Sequence, residues 1–342
     1  MDFRFTVQDA SPRALAGVDV GGTKVAVLLA DVSGRMLGRT VVPTALDSAE
    51  RTLSTIADAV HRCAQAVGVE MRDLAAVGIG VPGRVDTRTG VVQQAVNLGW
   101  QEVPAGARLS SLLGVPCVLE NDVRLAAVGL QRRASHTANA GPTGHAESIA
   151  YVSVGTGIAA GLIIHGRLYR GAHGMAGEIG HSILDLDGPL CVCGARGCLE
   201  ALAAGPAIAR LAKEAVASGV HTSLRPGAIS AEEVYSAAGN ADPVALSITH
   251  RVGRYLAQAI QQLIMLYDVE RVVLGGGVSR AGAAFLNPIL NTLENLRAQS
   301  ELAREMIRPG MITLLDPEYD AGAWGALALA NDFMSREQQY EP

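Results

Sequence analysis

The stretch Leu15-Ala-Gly-Val-Asp-Val-Gly-Gly-Thr-Lys-Val-Ala-Val-Leu-Leu-Ala30 consists of two apolar runs joined by a short polar turn that contains two glycines. Two such runs around a two-glycine turn are typical of a β-hairpin. A second turn at residues 31–34 and an extended run at residues 36–43 predict a third strand. The chain is therefore expected to open with a meander of three strands.

Strands and helices are expected to alternate along the rest of the chain. Ser48 is a typical helix N-cap, and apolar side chains then recur at helical spacing from Leu53 to Val67. The apolar stripe of residues 243–267 predicts a long helix. Other helices are expected at 124–133, 206–217, 281–296 and 322–333, and other strands at 75–81, 115–119, 149–154, 161–164 and 271–274. This alternation favours an α/β fold.

The length of the chain, 342 residues, favours two domains or two lobes of one fold, because single cores rarely grow beyond about 300 residues. Residues 149–164 repeat the pattern of two strands around a glycine turn, which suggests an internal duplication. Residues 134–147 are rich in Gly, Ser, Thr, Ala and His and have no periodicity. They predict a surface loop near a lobe boundary.

Composition and charge argue against several classes of protein. The net charge is −5 and no basic run exceeds two residues, so a nucleic-acid partner is not expected. Residues 1–13 contain no apolar core of a signal peptide, and no window approaches 18 uninterrupted apolar residues. Three of the five cysteines lie in one cluster, which indicates metal binding in a reducing compartment. We therefore expect a soluble protein of the cytoplasm without a membrane partner.

The turn of the opening hairpin is a candidate phosphate-binding element. Backbone N–H groups at Gly21, Gly22 and Thr23 could hold phosphate oxygens, with the amine of Lys24 beside them. Asp19, at the end of the preceding strand, could orient a magnesium ion or its water. The spacing differs from that of the Gly-x4-Gly-Lys-Ser/Thr phosphate loop, and an ordinary hairpin turn is the alternative.

Two other glycine turns follow predicted strands and repeat this theme. Three such turns converging from separate strands would form a cradle for a nucleotide. The two turns comprise Gly155, Thr156 and Gly157 in the first, and Gly275, Gly276 and Gly277 in the second.

The sequence Glu120-Asn121-Asp122 follows a predicted strand, at the end where α/β sheets commonly present their catalytic groups. Asp122 could take the proton of an attacking hydroxyl if phosphate is transferred here. Asn121 or Asp122 could instead be the N-cap of the helix expected at 124–133. The two roles are compatible.

The most specific motif is a group of metal-ligand residues at close spacing. The four residues are separated by nine, one and four others, and their types suit a closed tetrahedral zinc site: His181, Cys191, Cys193 and Cys198. Four protein ligands leave no open position, so the zinc is expected to be structural. Glu178 and Glu200 flank the motif, either as functional carboxylates or as solvated surface residues.

Five motifs taken together resemble those of the ROK family of sugar kinases and sugar-responsive repressors, and within it those of the bacterial glucokinases. They are Asp-Val-Gly-Gly-Thr-Lys24, Glu-Asn-Asp122, Gly-Thr-Gly157, Gly-Glu-Ile-Gly-His181 and Cys-x-Cys-Gly-x-x-Gly-Cys-x-Glu200. The resemblance extends from about Leu15 to Phe333. It implies the α/β, two-lobed actin-like ATPase fold, in which ribonuclease-H-like lobes close over an active-site cleft. The implied division is a tail at 1–14, a small lobe at 15–123 to which a helix at 318–333 returns, and a large lobe at 124–317 that contains the zinc motif.

The resemblance also implies roles for individual residues. Asp122 would be the general base, the first two glycine turns would bind phosphate, and the third would lie near the adenosine. His181 would use one ring nitrogen for zinc and the other for sugar. The residues expected to bind the sugar are Gly83, Asn97, Asn121, Asp122, Glu178, His181 and Glu200. Three positions depart from the family pattern: Arg124 replaces a common Asn, Leu130 replaces a common Glu, and the loop Asn97-Leu-Gly-Trp100 lacks a common Pro.

The implied activity is the ATP- and Mg²⁺-dependent phosphorylation of a hexose, glucose above all, at its 6-hydroxyl in glycolysis. N-acetylmannosamine or another hexose as acceptor, and polyphosphate as donor, stay open. A sugar-sensing repressor is the alternative from another class, but the 14 residues before Leu15 are too few for a DNA-binding module. Because relatives commonly form dimers or tetramers, we expect a homo-oligomer.

Overall fold

The computed structural model of the chain describes residues 14–134, 148–227 and 229–338. They form two compact units, the first of residues 14–134, 166–175 and 320–338 and the second of residues 148–165 and 176–319. The tail expected at 1–14 lies outside the described residues up to residue 13, and Ala14 already belongs to a strand. The loop expected at 134–147 also lies outside them, except for Ala134, which ends a helix.

The first unit contains the three opening strands, a helix that leads into a further strand, three short strands that form a meander, and two helices that pack against each other. Its strands are β1 (Ala14–Val20), β2 (Lys24–Asp31), β3 (Met36–Pro43), β4 (Leu74–Val81), β5 (Arg84–Asp86), β6 (Val91–Ala95), β7 (Trp100–Val103), β8 (Cys117–Asn121) and β11 (Arg167–Leu168). Its helices are α1 (Ala49–Ala66), α2 (Ala105–Leu113), α3 (Asp122–Ala134) and α10 (Ala321–Gln338).

The predicted hairpin and third strand are confirmed, and they form one edge of a sheet with the order β3-β2-β1-β4-β8. β4 and β8 run parallel to β1, so the carboxyl ends of these three strands lie at one edge. The predicted N-cap Ser48 accepts a hydrogen bond from the backbone N–H of Arg51. Short strands β5, β6 and β7, which the sequence analysis did not predict, form a separate antiparallel sheet.

Helix α10 lies very close to this sheet because glycines leave room for its backbone. Gly17 of β1 and Gly78 of β4 are paired in register, and a Cβ on either would overlap a carbonyl oxygen of α10. Helix α3 approaches α10 in the same way: a Cβ at Gly129 would overlap the carbonyl of Ala321, and one at Gly325 the carbonyl of Leu125. Side chains cannot mediate contacts this short, so the helix backbone is seated on the sheet at glycine.

The second unit also combines strands with helices, and its longest helix has 25 residues. Its strands are β9 (Ile149–Val154), β10 (Ile158–Ile164), β12 (Arg271–Gly275) and β13 (Ile312–Leu314). Its helices are α4 (Leu199–Ala203), α5 (Gly205–Ala217), α6 (Ala231–Gly239), α7 (Pro243–Tyr267), α8 (Ala283–Gln299) and α9 (Glu301–Met306). The long helix predicted at 243–267 has the same bounds as α7.

The strands of this unit run in the order β10-β9-β12-β13, with β9 and β10 antiparallel and β12 and β13 parallel to β9. The order β2-β1-β4-β8 of the first unit has the same pattern of directions. This shared topology supports the internal duplication that the sequence suggests. Each unit has a hydrophobic core of its own, around β1 and β4 in the first and around β9, α7 and β12 in the second.

The predicted lobe boundary after residue 123 falls within α3, which packs on α10 in the first unit. The predicted lobe boundaries and the division into two compact units thus differ here, and the lobe boundaries stay a prediction.

Among the described residues, no helix is both long enough and apolar enough to cross a lipid bilayer.

Replacing Gly78 with Ala tests the close approach of α10. The added methyl would overlap the carbonyl oxygen of Ala326, and neither backbone can move without disturbing the sheet. We expect a loss of about 3 kcal/mol in the free energy of unfolding, measured by urea denaturation.

Gly239→Ala is the matched control, because a Cβ at that helical position meets no atom within 4 Å. It should leave stability unchanged or raise it by about 0.5 kcal/mol. Equal effects of the two substitutions would show that α10 is not held by backbone contact.

Candidate active site

The carboxyl ends of β1, β4 and β8 bring two predicted site residues together in the first unit. Asp19 pairs in register with Gly80 of β4, and Gly80 pairs with Glu120 of β8. A Cβ at Gly80 would lie 3.4 Å from the Cα of Asp122, so α3 begins directly over this glycine. The negative charge of Asp122 acts on Asp19 strongly enough to shift its titration.

Asp19 is a partly buried carboxylate whose pKa lies well above its ordinary value. Burial, together with the negative charges of Asp122 and Asp320, raises the pKa of Asp19 to about 7, and Lys24 offsets this only in part. Its carboxylate lies against the first turn of α10, where a Cβ at Gly322 would be 2.6 Å from the carboxylate carbon. Such crowding of like charges is common where a cation or a proton is handled.

The predicted phosphate turn is fixed by hydrogen bonds. The N–H of Gly21 donates to the carbonyl of Lys24 at 2.9 Å. Thr44, directly after β3, donates from its hydroxyl to the carbonyl of Gly21 at 2.7 Å and from its N–H to that of Thr23 at 3.1 Å. Together these bonds use three carbonyls of the turn and the N–H of Gly21, and Thr23 remains exposed to solvent.

Two of the predicted sugar residues lie near the hairpin turn or near Asn121. A Cβ at Gly22 would lie 3.6 Å from the Cβ of the exposed Asn97. Gly83 has a φ of +89°, and a Cβ there would overlap the carbonyl oxygen of Gln94, so only glycine fits. Its carbonyl accepts a hydrogen bond of 3.1 Å from Nδ2 of Asn121.

Asn121 has the N-cap role that the sequence left as an alternative. Its Oδ1 accepts a hydrogen bond of 3.1 Å from the backbone N–H of Arg124 in the first turn of α3. One lone pair of Oδ1 and one hydrogen of Nδ2 are thus used within the chain, and each group has capacity for one further bond. Asp122 is the next residue, and its Oδ1 accepts from the N–H of Val123 at 2.9 Å.

A buried ion-pair network next to Asn121 and Asp122 was not predicted from the sequence. Glu120 is fully buried and its carboxylate is shared by Arg124 Nη1 at 3.3 Å and Arg170 Nε at 2.6 Å. Arg124 also donates from Nη2 to the carbonyl of Gly174 at 2.5 Å. A carboxylate four residues before an arginine was the available signal. Arg124, one of the departures from the family pattern, therefore neutralises a buried charge.

In the second unit the two other glycine turns meet. A Cβ at Gly155 would lie 3.7 Å from the backbone nitrogen of Gly277, and the N–H of Gly205 donates to the carbonyl of Gly155 at 2.8 Å. Gly276 has a φ of +88°, and a Cβ there would overlap the carbonyl of Val154. The sequence prediction that separate strands bring these turns together holds for this pair.

The two turns open into a cavity of about 770 Å³. The size is that of a pocket for a nucleotide or a drug-sized ligand. Most of the remaining lining comes from α5, α6 and the turn after β12, and it includes Pro206, Ala209, Glu232, Tyr235, Val278 and Arg280. The sequence analysis did not identify α6, although Ser230 and Glu233 form a capping box that was readable from the sequence.

Glu200 is half-buried and lies against the glycine turn of residues 155–157. Its Oε2 accepts a hydrogen bond of 3.0 Å from the N–H of Ile158, and a Cβ at Gly157 would lie 2.5 Å from the same oxygen. Glu178, by contrast, is exposed, and its carbonyl accepts from the N–H of His181 at 3.1 Å. The carboxylate of Glu178 is therefore open to a ligand.

The structure brings the four predicted metal ligands together. One ligand atom from each of His181, Cys191, Cys193 and Cys198 lies within 4.8 Å of the others. Nδ1 of His181 is 3.7 Å from Sγ of Cys191, and the sulfurs of Cys193 and Cys198 are 3.6 Å apart. A tetrahedron with metal–sulfur bonds of about 2.3 Å has edges of about 3.8 Å, so the donor set fits a metal ion.

The sequence of the chain matches the model of the ROK family over residues 15–333. It is 34% identical over 291 residues to the glucokinase of Halalkalibacterium halodurans, covering 83% of this chain and 86% of that protein. It is 29% identical to an N-acetylmannosamine kinase of Escherichia coli, covering 92% and 97% of the two chains.

The structure resembles the crystal structure of a ROK family glucokinase from Streptomyces griseus in complex with glucose and AMPPNP. The TM-score is 0.74 at 32% identity, and the match covers 93% of this chain and 99% of that one. This similarity confirms the predicted α/β fold of the actin-like ATPase type and is in line with the sugar-kinase motifs. The chain belongs to the ROK family.

Proposed function

We propose that this protein is a hexose kinase that transfers the γ-phosphoryl group of ATP to the 6-hydroxyl of glucose. The observation that carries the proposal is the meeting of the glycine turns at Gly155 and Gly277 over a cavity of about 770 Å³. Glycine turns at strand ends expose the N–H groups that bind phosphates. The S. griseus structure, which contains glucose and AMPPNP, supports the choice of both substrates.

ATP would place its adenosine in this cavity, against Tyr235 and near Gly275–Gly277, with its phosphates toward Gly155–Gly157. In the first unit, the backbone of Gly21–Thr23 and the amine of Lys24 are also proposed to bind phosphate. Mg²⁺, when bound with ATP, would neutralise phosphate charge. Asp19 is the proposed carboxylate for it, because this partly buried group already lies among like charges that a cation would balance.

Asp122 is the proposed general base. Its carboxylate would accept the proton of the 6-hydroxyl as that oxygen attacks the γ-phosphorus and ADP leaves. The residues proposed to hold the sugar are Gly83, Asn97, Asn121, Glu178, His181 and Glu200. Carboxylate hydrogen bonds to individual hydroxyls reject sugars that lack them far better than apolar contacts do.

Zinc is the metal proposed for the cluster of His181 and the three cysteines. A set of three thiolates and one imidazole prefers zinc, and the four ligands leave no position for a substrate. Because Nδ1 of His181 faces the sulfurs, Nε2 is the nitrogen proposed to bind the sugar.

The setting of the enzyme is also a proposal. Cysteines at a metal site suit the reducing cytoplasm, which is the proposed compartment. A dimer or tetramer is proposed because relatives commonly form such assemblies.

N-acetylmannosamine is the second candidate for the acceptor, and the similarity to the E. coli kinase of that sugar favours it.

The test of the function is a coupled assay with ATP or polyphosphate as donor and with glucose, mannose, fructose, N-acetylglucosamine and N-acetylmannosamine as acceptors. We expect the highest kcat/KM with ATP and glucose. Equal values for glucose and N-acetylmannosamine would contradict the assignment of glucose.

Asp122→Asn is the variant that tests the base within the same assay. It keeps the size of the side chain and removes its basicity, so kcat should fall about 100- to 10,000-fold while glucose binding without ATP is retained. Asp47→Asn, at an exposed position, is the matched control and should keep full turnover. Near-normal turnover of Asp122→Asn would exclude Asp122 as the base.

Replacing Cys193 with Ser tests whether the metal site supports the sugar site. We expect the zinc content to fall well below about one ion per chain, and glucose affinity to fall about tenfold because His181 loses its anchor. Zinc is measured by elemental analysis and affinity by calorimetry, with circular dichroism to confirm folding.

Cys63→Ala, at a buried position on α1, is the control and should retain the zinc. Loss of zinc with unchanged glucose affinity would limit the cluster to a stabilising role.

Replacing Asp19 with Asn tests the crowding of carboxylates. The folded-state pKa of about 7 lies above the usual 3.8, so the folded protein holds a proton that the unfolded chain releases as the pH rises between these values. The contribution of Asp19 to stability therefore falls from pH 4 to pH 7 and stays low above it. In Mg²⁺-free buffer, Asp19→Asn should be more stable than wild type by about 2 kcal/mol at pH 8 and similar to it near pH 4.

Asp31→Asn provides a control of opposite sign, because hydrogen bonds from Ser33 and Arg35 outweigh the effect of burial and lower the pKa of Asp31. That variant should be less stable than wild type at pH 8. A destabilised Asp19→Asn at pH 8 would show that Asp19 is instead a stabilising partner of Lys24.

A further inference from the structure

A second large cavity lies in the first unit and has no role in the proposed reaction. It has a volume of about 760 Å³ and is formed by α3, the end of α10, β8 and the segment around β11. Its apolar wall includes Leu125, Val128, Leu329 and Phe333. The volume falls within the range of ligand pockets.

The polar part of this cavity is strongly basic. Arg132, Arg167 and Arg170 line it, and the acidic residue in the lining is Asp332. Arg132 Nη2 lies 2.9 Å from that carboxylate, whereas the exposed Arg167 forms no ion pair with the described residues. Arg132 is thus paired with Asp332 and Arg170 with the buried Glu120, so the net positive charge at the wall comes from Arg167.

Arg170 connects the cavity to the catalytic segment. Its Nε donates to Glu120 at 2.6 Å, and its side chain is still 42% exposed, so its terminal N–H groups remain available. Glu120 in turn accepts at 2.9 Å from the N–H of Asn121, the residue before the proposed base. A ligand that attracts Arg170 would therefore weaken the bond that fixes this carboxylate.

We propose that this cavity is a regulatory site for a small organic phosphate, and that its occupation lowers turnover through Arg170 and Glu120. Guanidinium groups bind phosphate oxygens in a bidentate manner, and the apolar wall can take the carbon skeleton of the ester. The binding step stands on the cavity alone. The effect on turnover rests on the proposed kinase function.

Binding is tested by calorimetry with fructose 1,6-bisphosphate and with inorganic phosphate, on the full chain saturated with glucose. We expect one site for the bisphosphate, and Arg167→Ala should weaken it about tenfold, the equivalent of about 1.4 kcal/mol. Arg254→Ala, an exposed arginine on α7, is the matched control and should bind as wild type does. No binding, or binding that Arg167→Ala leaves intact, overturns the site. Equal affinity for inorganic phosphate would overturn the assignment to an organic ester.

The effect of bisphosphate binding on catalysis is tested by measuring kcat of the same proteins with ATP and glucose. The bisphosphate should lower kcat of wild type and of Arg254→Ala, and should leave Arg167→Ala nearly unaffected, while the three proteins have equal kcat without it. Binding that leaves kcat unchanged overturns the regulatory role. A protein that binds the bisphosphate but phosphorylates no sugar would refute the proposed function and leave the binding site standing.

Discussion

The contact on which the first unit depends is the seating of the α10 backbone on the β1–β4 face. Gly17 and Gly78 are neighbours in the sheet register, and together they remove the two side chains that would hold the helix away. The same approach brings the first turn of α10 against the carboxylate of Asp19 at Gly322. The position of a charged group at the strand ends is therefore set by backbone packing near the middle of the sheet. Glycine loses more conformational entropy on folding than alanine does, and the structure uses it where no other residue fits.

The like charges at the carboxyl ends of the strands lower the stability of the fold but suit the binding of a cation. Asp19, Asp122 and Asp320 carry like charges near one another, with Lys24 as a partial counterweight. Glu120, one residue before Asn121, shows the opposite arrangement, since two arginines share a fully buried carboxylate. Removing either arginine would leave part of a buried charge unpaired, which is costly. Residues 120–122, which contain the proposed base, are thus held by the paired charge of Glu120, while Asp19, Asp122 and Asp320 keep an unbalanced negative charge that a cation can neutralise.

The sequence predicted the parts of the fold and site that depend on local pattern. The hairpin, the third strand, the helix with the Ser48 cap, the long helix at 243–267 and the metal ligands all follow from short-range periodicity or spacing. The strands β5–β7 were missed because each is five residues long or shorter, and turns that contain Gly90 and Gly99 separate them. Helix α6 was missed although its capping box was present. The pairing of Glu120 with Arg170 joins residues 50 positions apart, and the contact of Gly17 with α10 joins residues about 300 apart. No pattern in one sequence reports such contacts.

The position of Glu200 has a consequence for how this enzyme could change its substrates. One carboxylate oxygen accepts the N–H of Ile158 and fills the space where a side chain on Gly157 would stand, and Gly155 is tied to the start of α5. The proposed acceptor contact and the proposed donor turn are thus one rigid piece rather than separate modules. A mutation that reshapes the turn for another donor would move Glu200, and one that alters Glu200 would disturb the turn. Donor and acceptor preference should therefore evolve together in this protein, along few mutational routes.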